Sequence, residues 1–184
     1  HWDRNRANRI LKLCMSFLFT TRGIPQLYYG TEVGLEGDCD PYNRRDMRWE
    51  IFDDTYVEQP DDSEYKDAKE IYDHVKKLIK IRKENEAISF GYLFTIYSND
   101  LYYAYMREFK GNVIIVMINN SFEKRDNFKI KIGSNSNIPP RIKDLLQTRK
   151  YLTDQLNIED KIQYKNGSLE TKLGPKQAKI YKLL

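Results

Sequence analysis

The stretch GIPQLYYGTEVGLEGDCDPYNRRDMRW, residues 23–49, passes from an apolar run into a loop crowded with charged and amide side chains. The run from Ile24 to Gly30 has the continuous apolarity of a strand covered on both faces. Gly30 permits a sharp turn, and the chain then presents Asp40 and Arg44 within a few residues of each other. This order predicts a buried strand that delivers a polar binding loop.

A helical pattern precedes the apolar run. Between Asn5 and Thr20 the apolar residues repeat at helical spacing, and we expect the following to face a core: Ile10, Leu11, Cys14, Met15 and Leu18. Gly23 ends this pattern and Pro25 prevents its resumption. A helix, a short link and a buried strand predict an α/β unit with a parallel sheet.

The segment from Thr31 to Asp62 has no sustained hydrophobic period, and loops of this length inside compact domains are usually functional or disordered. Five residues are expected to anchor it and keep it ordered: Tyr42, Trp49, Ile51, Phe52 and Tyr56. A second helix follows, with a cap among residues 61–63 and four core-facing positions, Ile71, Val75, Leu78 and Ile79.

The pattern changes after Gly91. Short β-rich runs such as YLFTIY, LYYAYM, NVIIVMIN and FKIKI are separated by turn signals, and three more candidate strands lie around 142–146, 168–173 and 178–184. Short strands with no helix between them predict an all-β antiparallel sandwich. The expected domains are therefore residues 1–86 and 87–184.

Composition excludes several function classes. The chain has 184 residues and a formal net charge of +4 spread over both halves, so charge alone indicates neither a nucleic-acid nor a membrane partner. No run of 18 or more apolar residues occurs. Cys14 and Cys39 are expected to be reduced thiols, with Cys14 in the core. No cofactor or metal site is predicted.

Four segments carry a resemblance to a known family: FLFTTRGIPQLYYGTEVGL, DPYNRRDMRW, YDHVKKLIKIRKENEAI and LGPKQAKIYKLL. In this order they resemble the C-terminal part of α-amylase-family glycoside hydrolases, among them the neopullulanase, cyclomaltodextrinase and α-glucosidase members. The resemblance implies that residues 1–86 are the last part of a (β/α)8 TIM barrel, with Ile24 to Gly30 as its eighth strand and residues 64–86 as its eighth helix. Residues 87–184 would be the β-sandwich called domain C.

The family motif Asp-Pro-x-x-Arg matches Asp40 to Arg44. The resemblance implies that Asp40 and Arg44 contact the sugar on the non-reducing side of the cleaved bond. The chemistry suits this role, because a carboxylate accepts hydrogen bonds from hydroxyl groups and a guanidinium donates several in a fixed plane. From the residues alone, a surface ion pair is the favoured interpretation, and it is the resemblance that favours sugar binding. Tyr42 either stacks on a sugar face or anchors the loop.

Retaining glycosidases need two carboxyl groups, a nucleophile and an acid/base, about 5 to 5.5 Å apart. The family carries them on its fourth and fifth strands, and a third acidic residue follows an Asn-His motif after the seventh. The sequence holds none of these segments, so no catalytic residue is assigned. His1, Trp2 and Asp3 are interpreted as a solvent-exposed lead into the first helix, and His74 as a surface residue.

The sequence is therefore interpreted as the C-terminal fragment of a retaining enzyme that cleaves α-glucosidic bonds in maltooligosaccharides, cyclodextrins, pullulan or starch. The chain alone is expected to be inactive. Its expected partners are an α-glucan oligosaccharide, the N-terminal part of the same barrel, and a second copy held through uncovered barrel surface. The alternative is a non-catalytic carbohydrate-binding or assembly module, which a β-sandwich also fits.

Overall fold

The computed structural model of the chain describes residues 3–53, 55 and 62–184. Four α-helices lie in this part: α1 (Arg4–Thr20), α2 (Ser63–Glu84), α3 (Glu86–Phe90) and α4 (Pro140–Arg149). The strands of the described residues are β1 (Tyr92–Ser98), β2 (Tyr102–Phe109), β3 (Asn112–Asn119), β4 (Arg125–Lys131), β5 (Tyr151–Asp154), β6 (Lys161–Gln163), β7 (Ser168–Leu173) and β8 (Gln177–Leu183). The predicted order of helices first and strands after Gly91 is confirmed.

Aspartates begin the two long helices. Asp3 accepts a hydrogen bond from the Arg6 amide at 3.2 Å, and Asp62 accepts one from the Tyr65 amide at 2.8 Å. Each bond satisfies one of the amide groups that the first turn of a helix leaves without a partner. The interpretation of Asp3 as part of a helix lead-in is confirmed, and His1 and Trp2 lie outside the described residues. Within the described residues, no helix has the length and apolarity needed to cross a membrane.

The buried face of α1 differs in part from the predicted one, because Met15 is buried as expected whereas Ile10 is exposed. Cys14 is exposed, so its assignment to the core is wrong, and both cysteines are free. The buried side instead includes Leu13, Ser16 and Thr20. The two hydroxyl groups donate to carbonyls one turn earlier, Ser16 to Lys12 at 2.8 Å and Thr20 to Ser16 at 2.5 Å. Because the hydroxyl groups of Ser16 and Thr20 are hydrogen-bonded within the helix, both residues can be buried in the core. Their polarity had predicted a solvent-exposed face.

The second helix follows the prediction more closely. Ile71, Val75 and Leu78 are buried, whereas Ile79 is partly exposed. The predicted single helix over residues 64–86 is divided at Asn85, which ends α2 and precedes the short helix α3. Asn85 is buried, and its side-chain amide donates to the Ile81 carbonyl at 2.7 Å.

The predicted strand from Ile24 to Gly30 is absent from the structure. Residues 24–28 have no regular secondary structure, and the Ile24 side chain is 94% exposed. A β-strand exists through hydrogen bonds to a neighbouring strand, and the described part of the chain places no strand beside this segment. The expectation of a parallel sheet is accordingly not met within this chain.

The strands form two antiparallel sheets. One has the order β1-β2-β3-β8-β5-β6, and the other pairs β4 with β7. A core that includes Met106, Ile115 and Leu169 lies between the two sheets. The opposite face of the larger sheet, including Tyr105 and Val116, packs against α1, α2 and α3. The central strand β3 is therefore buried on both faces, which explains its uninterrupted apolar sequence.

Helix α4 corrects the prediction of an all-β domain. The run from Ile142 to Leu146 was expected to be a strand, but it lies inside α4. Ile142 and Leu146 are both buried and are four residues apart, which is the spacing of one helical face. Pro140 at the start of the helix supports its first turn, because proline has no amide proton that the turn would leave unpaired.

One of the hydrophobic clusters contains residues of both predicted domains, and the two parts meet closely at Gly91. A Cβ atom at this residue would lie 2.3 Å from the Ala87 carbonyl oxygen and 2.6 Å from the Glu108 carbonyl oxygen, so only glycine fits. The buried Arg107 donates to the Gly91 carbonyl at 2.9 Å and to the Thr20 carbonyl, at the end of α1, at 3.1 Å. One side chain of β2 thus joins the first helix, the linker and the larger sheet.

Glu108 provides a test of the sheet's electrostatics. Its buried carboxylate accepts two hydrogen bonds from Arg141, at 2.9 and 2.7 Å, and one from the Gly111 amide at 3.0 Å. The hydrogen bonds from Arg141 lower the pKa of Glu108 below its ordinary value. We expect Glu108→Gln to lower the free energy of unfolding at pH 7 by about 2 kcal/mol, since hydrogen bonds to a charged group are lost. Urea denaturation measures this loss.

A folded-state pKa below the unfolded one gives stability that is complete above the unfolded pKa, about 4.3 for glutamate, and is lost as pH falls through the folded value. The difference between wild type and Glu108→Gln should therefore shrink below pH ~4.3. The control is Asp126→Asn, which breaks an exposed ion pair with Lys124 and should change stability by less than about 0.5 kcal/mol. A difference that stays constant down to pH ~3 would contradict the assignment.

Candidate functional site

The polar loop after residue 30 is fixed at both ends to α2. Two short 3-10 helices, Thr31–Val33 and Trp49–Phe52, flank the loop. Val33 from the first and Ile51 from the second are buried in one cluster with residues of α2. The ends of the loop are therefore held by apolar packing, which leaves its central part free to carry polar groups.

Two glycines make the turn into the loop. Gly30 and Gly34 have φ angles of 84° and 66°, in the left-handed region that glycine adopts without strain. The sharp turn predicted at Gly30 is confirmed. A Cβ atom at Gly34 would lie 2.5 Å from the Cδ1 atom of Ile71, so glycine also allows the loop to approach α2 closely.

The centre of the loop, residues 36–46, is exposed throughout. Asp40 and Arg44 lie together there, with 2.8 Å between the Asp40 Oδ1 and Arg44 Nη2 atoms and side chains that are 63% and 66% exposed. The backbone sets their spacing, because the Tyr42 amide donates to the Cys39 carbonyl at 2.8 Å and the Arg44 amide to the Pro41 carbonyl at 3.0 Å. Successive turns thus present the two side chains on the same side.

An exposed ion pair of this kind contributes little to stability, typically below about 1 kcal/mol. Asp40 and Arg44 can therefore give up their mutual contact and bind a ligand instead, at a small cost in free energy. The carboxylate accepts hydrogen bonds and the planar guanidinium donates several, so together they complement a molecule with adjacent hydroxyl groups.

Tyr29 connects the loop to the segment before it. Its hydroxyl donates to the Arg45 carbonyl at 3.2 Å, and its ring lies 4.8 Å from that of Tyr28. Desolvation, followed by the neighbouring Tyr28, raises the pKa of Tyr29 above its ordinary value. The hydroxyl therefore keeps its proton and remains a donor to the loop at neutral pH.

An ionic network supports the base of the loop. Arg48 contacts Glu50 at 2.6 Å and Glu64 at 3.7 Å, and Arg4 contacts Glu64 at 2.7 Å and Glu36 at 3.3 Å. Glu64 thus links the loop to the first turns of both α1 and α2. The sequence analysis missed these residues, because they are distant in the sequence and carry no motif. A cavity of about 770 Å³ lies between α1, the loop and α2, with this network on its wall.

The predicted loop anchors divide into two groups. Ile51 is fully buried, as expected. Tyr42 and Trp49 are 68% and 72% exposed, so their interpretation as packing anchors is wrong. Tyr56 lies outside the described residues. Ile51 fills the space against α2 and leaves the two larger rings at the surface, where Tyr42 lies between Asp40 and Arg44 in the chain.

His74 is not a surface residue, in contrast to the prediction. It is half-buried on α2, and its Nε2 atom lies 3.0 Å from the Ser16 hydroxyl and 3.2 Å from the Lys12 carbonyl oxygen. Burial lowers the pKa of His74, which keeps the ring neutral at physiological pH. Through these contacts His74 joins α2 to α1. The close approach of the two helices partly buries it, although its neighbours in the sequence are charged.

The described residues contain no group of three or more His, Cys, Asp or Glu side chains able to hold a metal ion. The structure brings Asp40, Tyr42 and Arg44 together in one exposed turn of the polar loop. Apolar packing on α2 and the ionic network at the base of the loop support that turn.

Comparisons with known proteins give a consistent set of relatives. No protein-family model matches the chain. A cyclomaltodextrinase of Thermoanaerobacter pseudethanolicus is 39% identical over 147 residues, which cover 80% of this chain and 23% of that protein. A β/α-amylase of Paenibacillus polymyxa is 31% identical over 171 residues, which cover 93% of this chain and 12% of that protein.

The solved structures agree with the sequence matches. The structure of an α-amylase from Geobacillus thermoleovorans, complexed with acarbose, aligns with a TM-score of 0.70 and 28% identity over 98% of this chain and 34% of that one. The chain spans less than a quarter of the length of the two curated relatives. The similarity nevertheless extends through both the helical part and the antiparallel sheets.

The anchoring of the loop can be tested by comparing Ile51→Ala with Trp49→Ala. We expect Ile51→Ala to cost about 3 kcal/mol, because it opens a cavity in the cluster that holds the loop on α2. Limited proteolysis should then cleave within residues 36–50 faster than in the wild type. Trp49→Ala removes a larger but exposed ring and should leave the cleavage rate unchanged. Equal protection in both variants would contradict the assigned anchor.

Proposed function

The chain belongs to the α-amylase family of glycoside hydrolases, and we propose that it is the C-terminal part of an enzyme that hydrolyses α-glucosidic bonds with retention of configuration. The proposed substrates are maltooligosaccharides, cyclodextrins or starch, as the names of the relatives suggest. Within that enzyme, the loop that carries Asp40, Tyr42 and Arg44 binds the sugar on the non-reducing side of the cleaved bond.

The observation that carries this proposal is the exposed pair of Asp40 and Arg44. The two side chains lie 2.8 Å apart on an ordered turn, and within the described residues neither forms an ion pair with a third residue. Asp40 accepts from sugar hydroxyls and Arg44 donates to them, while the exposed ring of Tyr42 is available to pack against the apolar face of a pyranose.

The exposed segment before the loop supports a barrel environment in the whole enzyme. Ile24, Tyr28 and Tyr29 are apolar or aromatic and yet exposed. A preceding barrel strand would pair with this backbone and cover these side chains, which makes residues 24–30 the proposed eighth strand. The loop would then lie at the carboxyl end of the barrel, where active sites of this fold are built.

The bond-breaking groups are proposed to come from other strands of the barrel. One carboxylate would attack the anomeric carbon, and a carboxylic acid about 5 to 5.5 Å away would protonate the departing oxygen. Asp40 and Arg44 do not take part in these proton or bond transfers. They hold one sugar ring in place, so that binding energy orients the scissile bond between the two carboxyl groups.

The proposal predicts the kinetics of two variants in the full-length protein. Asp40→Ala and Arg44→Ala should each lower kcat/KM for maltotriose and cyclodextrin by roughly ten- to a hundred-fold, since charge-assisted hydrogen bonds to the sugar are lost. Arg44→Lys should recover little, because a point charge does not reproduce the planar donor group. Steady-state assays of released glucose and maltose measure these constants.

A matched control is available on α2. Lys80 and Glu84 form another exposed ion pair with the same spacing of four residues. Glu84→Ala should leave kcat/KM unchanged, which separates a role in sugar binding from a general effect of breaking a surface pair. The site assignment is wrong if Asp40→Ala and Arg44→Ala behave like Glu84→Ala while the protein stays folded.

The 184-residue chain, purified alone, should release no reducing sugar from starch, pullulan or cyclodextrin, because the proposed nucleophile and acid/base lie outside it. A host amylase that co-purifies is the main confounder, and a mock purification controls for it. Activity that follows the chain through every column and disappears in Asp3→Asn would show that Asp3 is catalytic and not a helix cap.

A further inference from the structure

Three arginines meet at the carboxyl end of α1. Arg82 of α2 donates a hydrogen bond to the Gly23 carbonyl at 2.6 Å. Arg107 of β2 donates to the Thr20 carbonyl at 3.1 Å. Arg22 lies between these two carbonyls in the chain. We call Arg22, Arg82 and Arg107 the arginine cluster.

The arginine cluster contains no carboxylate partner. Within the described residues, no Asp or Glu side chain forms an ion pair with Arg22, Arg82 or Arg107. By contrast, Arg141 is paired with the buried Glu108 at 2.7 Å. A guanidinium group keeps its charge in a protein. The cluster therefore carries three positive charges.

The carbonyl groups at the end of α1 do not balance these charges. The carboxyl end of a helix carries the equivalent of only about half a negative charge. Desolvation lowers the pKa of Arg107, and the positive charges of Arg82 and Arg22 lower it further. The Arg107 Nε atom is also buried without a hydrogen-bond partner among the described residues. The cluster therefore favours a negatively charged group beside it.

Two of the three arginines are accessible to such a group. Arg107 is only 1% exposed, whereas Arg82 is half-buried and Arg22 is exposed. A ligand can reach Arg22 and the accessible part of Arg82, and Arg107 adds its charge from the interior. Planar guanidinium groups donate paired hydrogen bonds to the two oxygens of a carboxylate or a phosphate.

We propose that the arginine cluster is a binding site for an oxyanion group, a carboxylate or a phosphate, which Arg22 and Arg82 contact directly. The site is separate from the polar loop, because the cluster precedes residues 24–30 and the loop follows them. The oxyanion stabilises the place where α1, α2 and β2 meet, and it takes no part in sugar binding.

Two sources supply an oxyanion. One is a free anion from solution. The other is an acidic side chain of the barrel part of the full-length protein. The second source rests on the proposed function, whereas the site itself rests only on the contacts and charges of the arginine cluster.

The first experiment compares the melting temperature of the 184-residue chain in inorganic phosphate and in sodium chloride of the same ionic strength. Phosphate at ten times its dissociation constant should raise the melting temperature by roughly 3–6 °C, because it binds the folded chain. Calorimetry should show phosphate binding about tenfold weaker in Arg22→Gln, which loses charge-assisted hydrogen bonds.

Arg149→Gln is the matched control. Arg149 is another exposed arginine at the carboxyl end of a helix, in the last turn of α4, and it forms no ion pair within the described part of the chain. Arg149→Gln should bind phosphate like the wild type, because no other arginine of the cluster is beside it.

Charge reversal tests the site without a ligand. Arg22→Glu places a carboxylate beside Arg82 and Arg107, so it should melt about 2 °C above Arg22→Gln at low ionic strength. Arg149→Glu should instead melt below Arg149→Gln, because a negative charge is unfavourable at the carboxyl end of a helix. The dipole of α1 acts in the same unfavourable sense at residue 22, so a rise there requires the arginines.

Three results would overturn the proposal. Phosphate could stabilise the wild type and Arg22→Gln equally, or Arg22→Gln and Arg149→Gln could lose phosphate binding equally, which would show an effect of net charge alone. The third result is an Arg22→Glu variant that melts below Arg22→Gln.

The full-length protein identifies the source of the oxyanion and separates this inference from the proposed function. A barrel carboxylate in the cluster would abolish the stabilisation by phosphate there, whereas undiminished stabilisation would identify a free anion. Arg22→Gln should leave kcat/KM for maltotriose unchanged, so failure of the oxyanion site leaves the enzyme assignment standing. A full-length wild type without hydrolytic activity would overturn the enzyme assignment and leave the oxyanion site standing.

Discussion

The structure depends on the buried guanidinium of Arg107. It donates to the carbonyl at the end of α1 and to that of Gly91, where the helical part meets the sheets. A cation at the carboxyl end of a helix is favoured by the helix dipole. Burial without a carboxylate partner lowers the pKa of Arg107, and its Nε atom has no hydrogen-bond partner among the described residues. The contact is therefore costly, and the chain retains it because it fixes where α1 stops relative to β2.

Further contacts join the helices to the larger sheet at the same place. Thr20, the last residue of α1, also places its hydroxyl 2.5 Å from that of the buried Tyr105. The face of the larger sheet that carries Tyr105 packs on α1 and α2, so the sheet acts as the platform for the helices. The polar loop packs on α2, and α2 packs on the larger sheet. The position of the loop therefore depends on a sheet that is distant from it in the sequence.

Local signals in the sequence predicted what local physics determines. The cap among residues 61–63, the turn at Gly30 and the antiparallel strands after Gly91 each follow from neighbouring residues, as does the close spacing of Asp40 and Arg44. The failures arose where distant contacts decide. Cys14 is exposed and His74 is half-buried, the reverse of the prediction, because α1 turns Ser16 toward α2. The sequence of α4 was interpreted as a strand because two buried residues four apart also fit a short apolar run. No motif or spacing in the sequence indicated the ionic network of Arg4, Arg48 and Glu64.

Residues 24–30 form no strand, whereas the loop that follows them is ordered. Both outcomes depend on the packing partners that the chain supplies. A strand requires a neighbour, and its apolar side chains remain exposed in this chain, whereas the loop is ordered because Val33 and Ile51 bring their own packing partners on α2. The turn that carries Asp40 and Arg44 is therefore held through packing on α2, and the hydrogen bond from the Tyr29 hydroxyl to the Arg45 carbonyl joins it to residues 24–30. In the proposed enzyme, neighbouring barrel strands would lie beside Tyr28 and Tyr29, and Asp40 and Arg44 would exchange their weak mutual contact for contacts with the sugar.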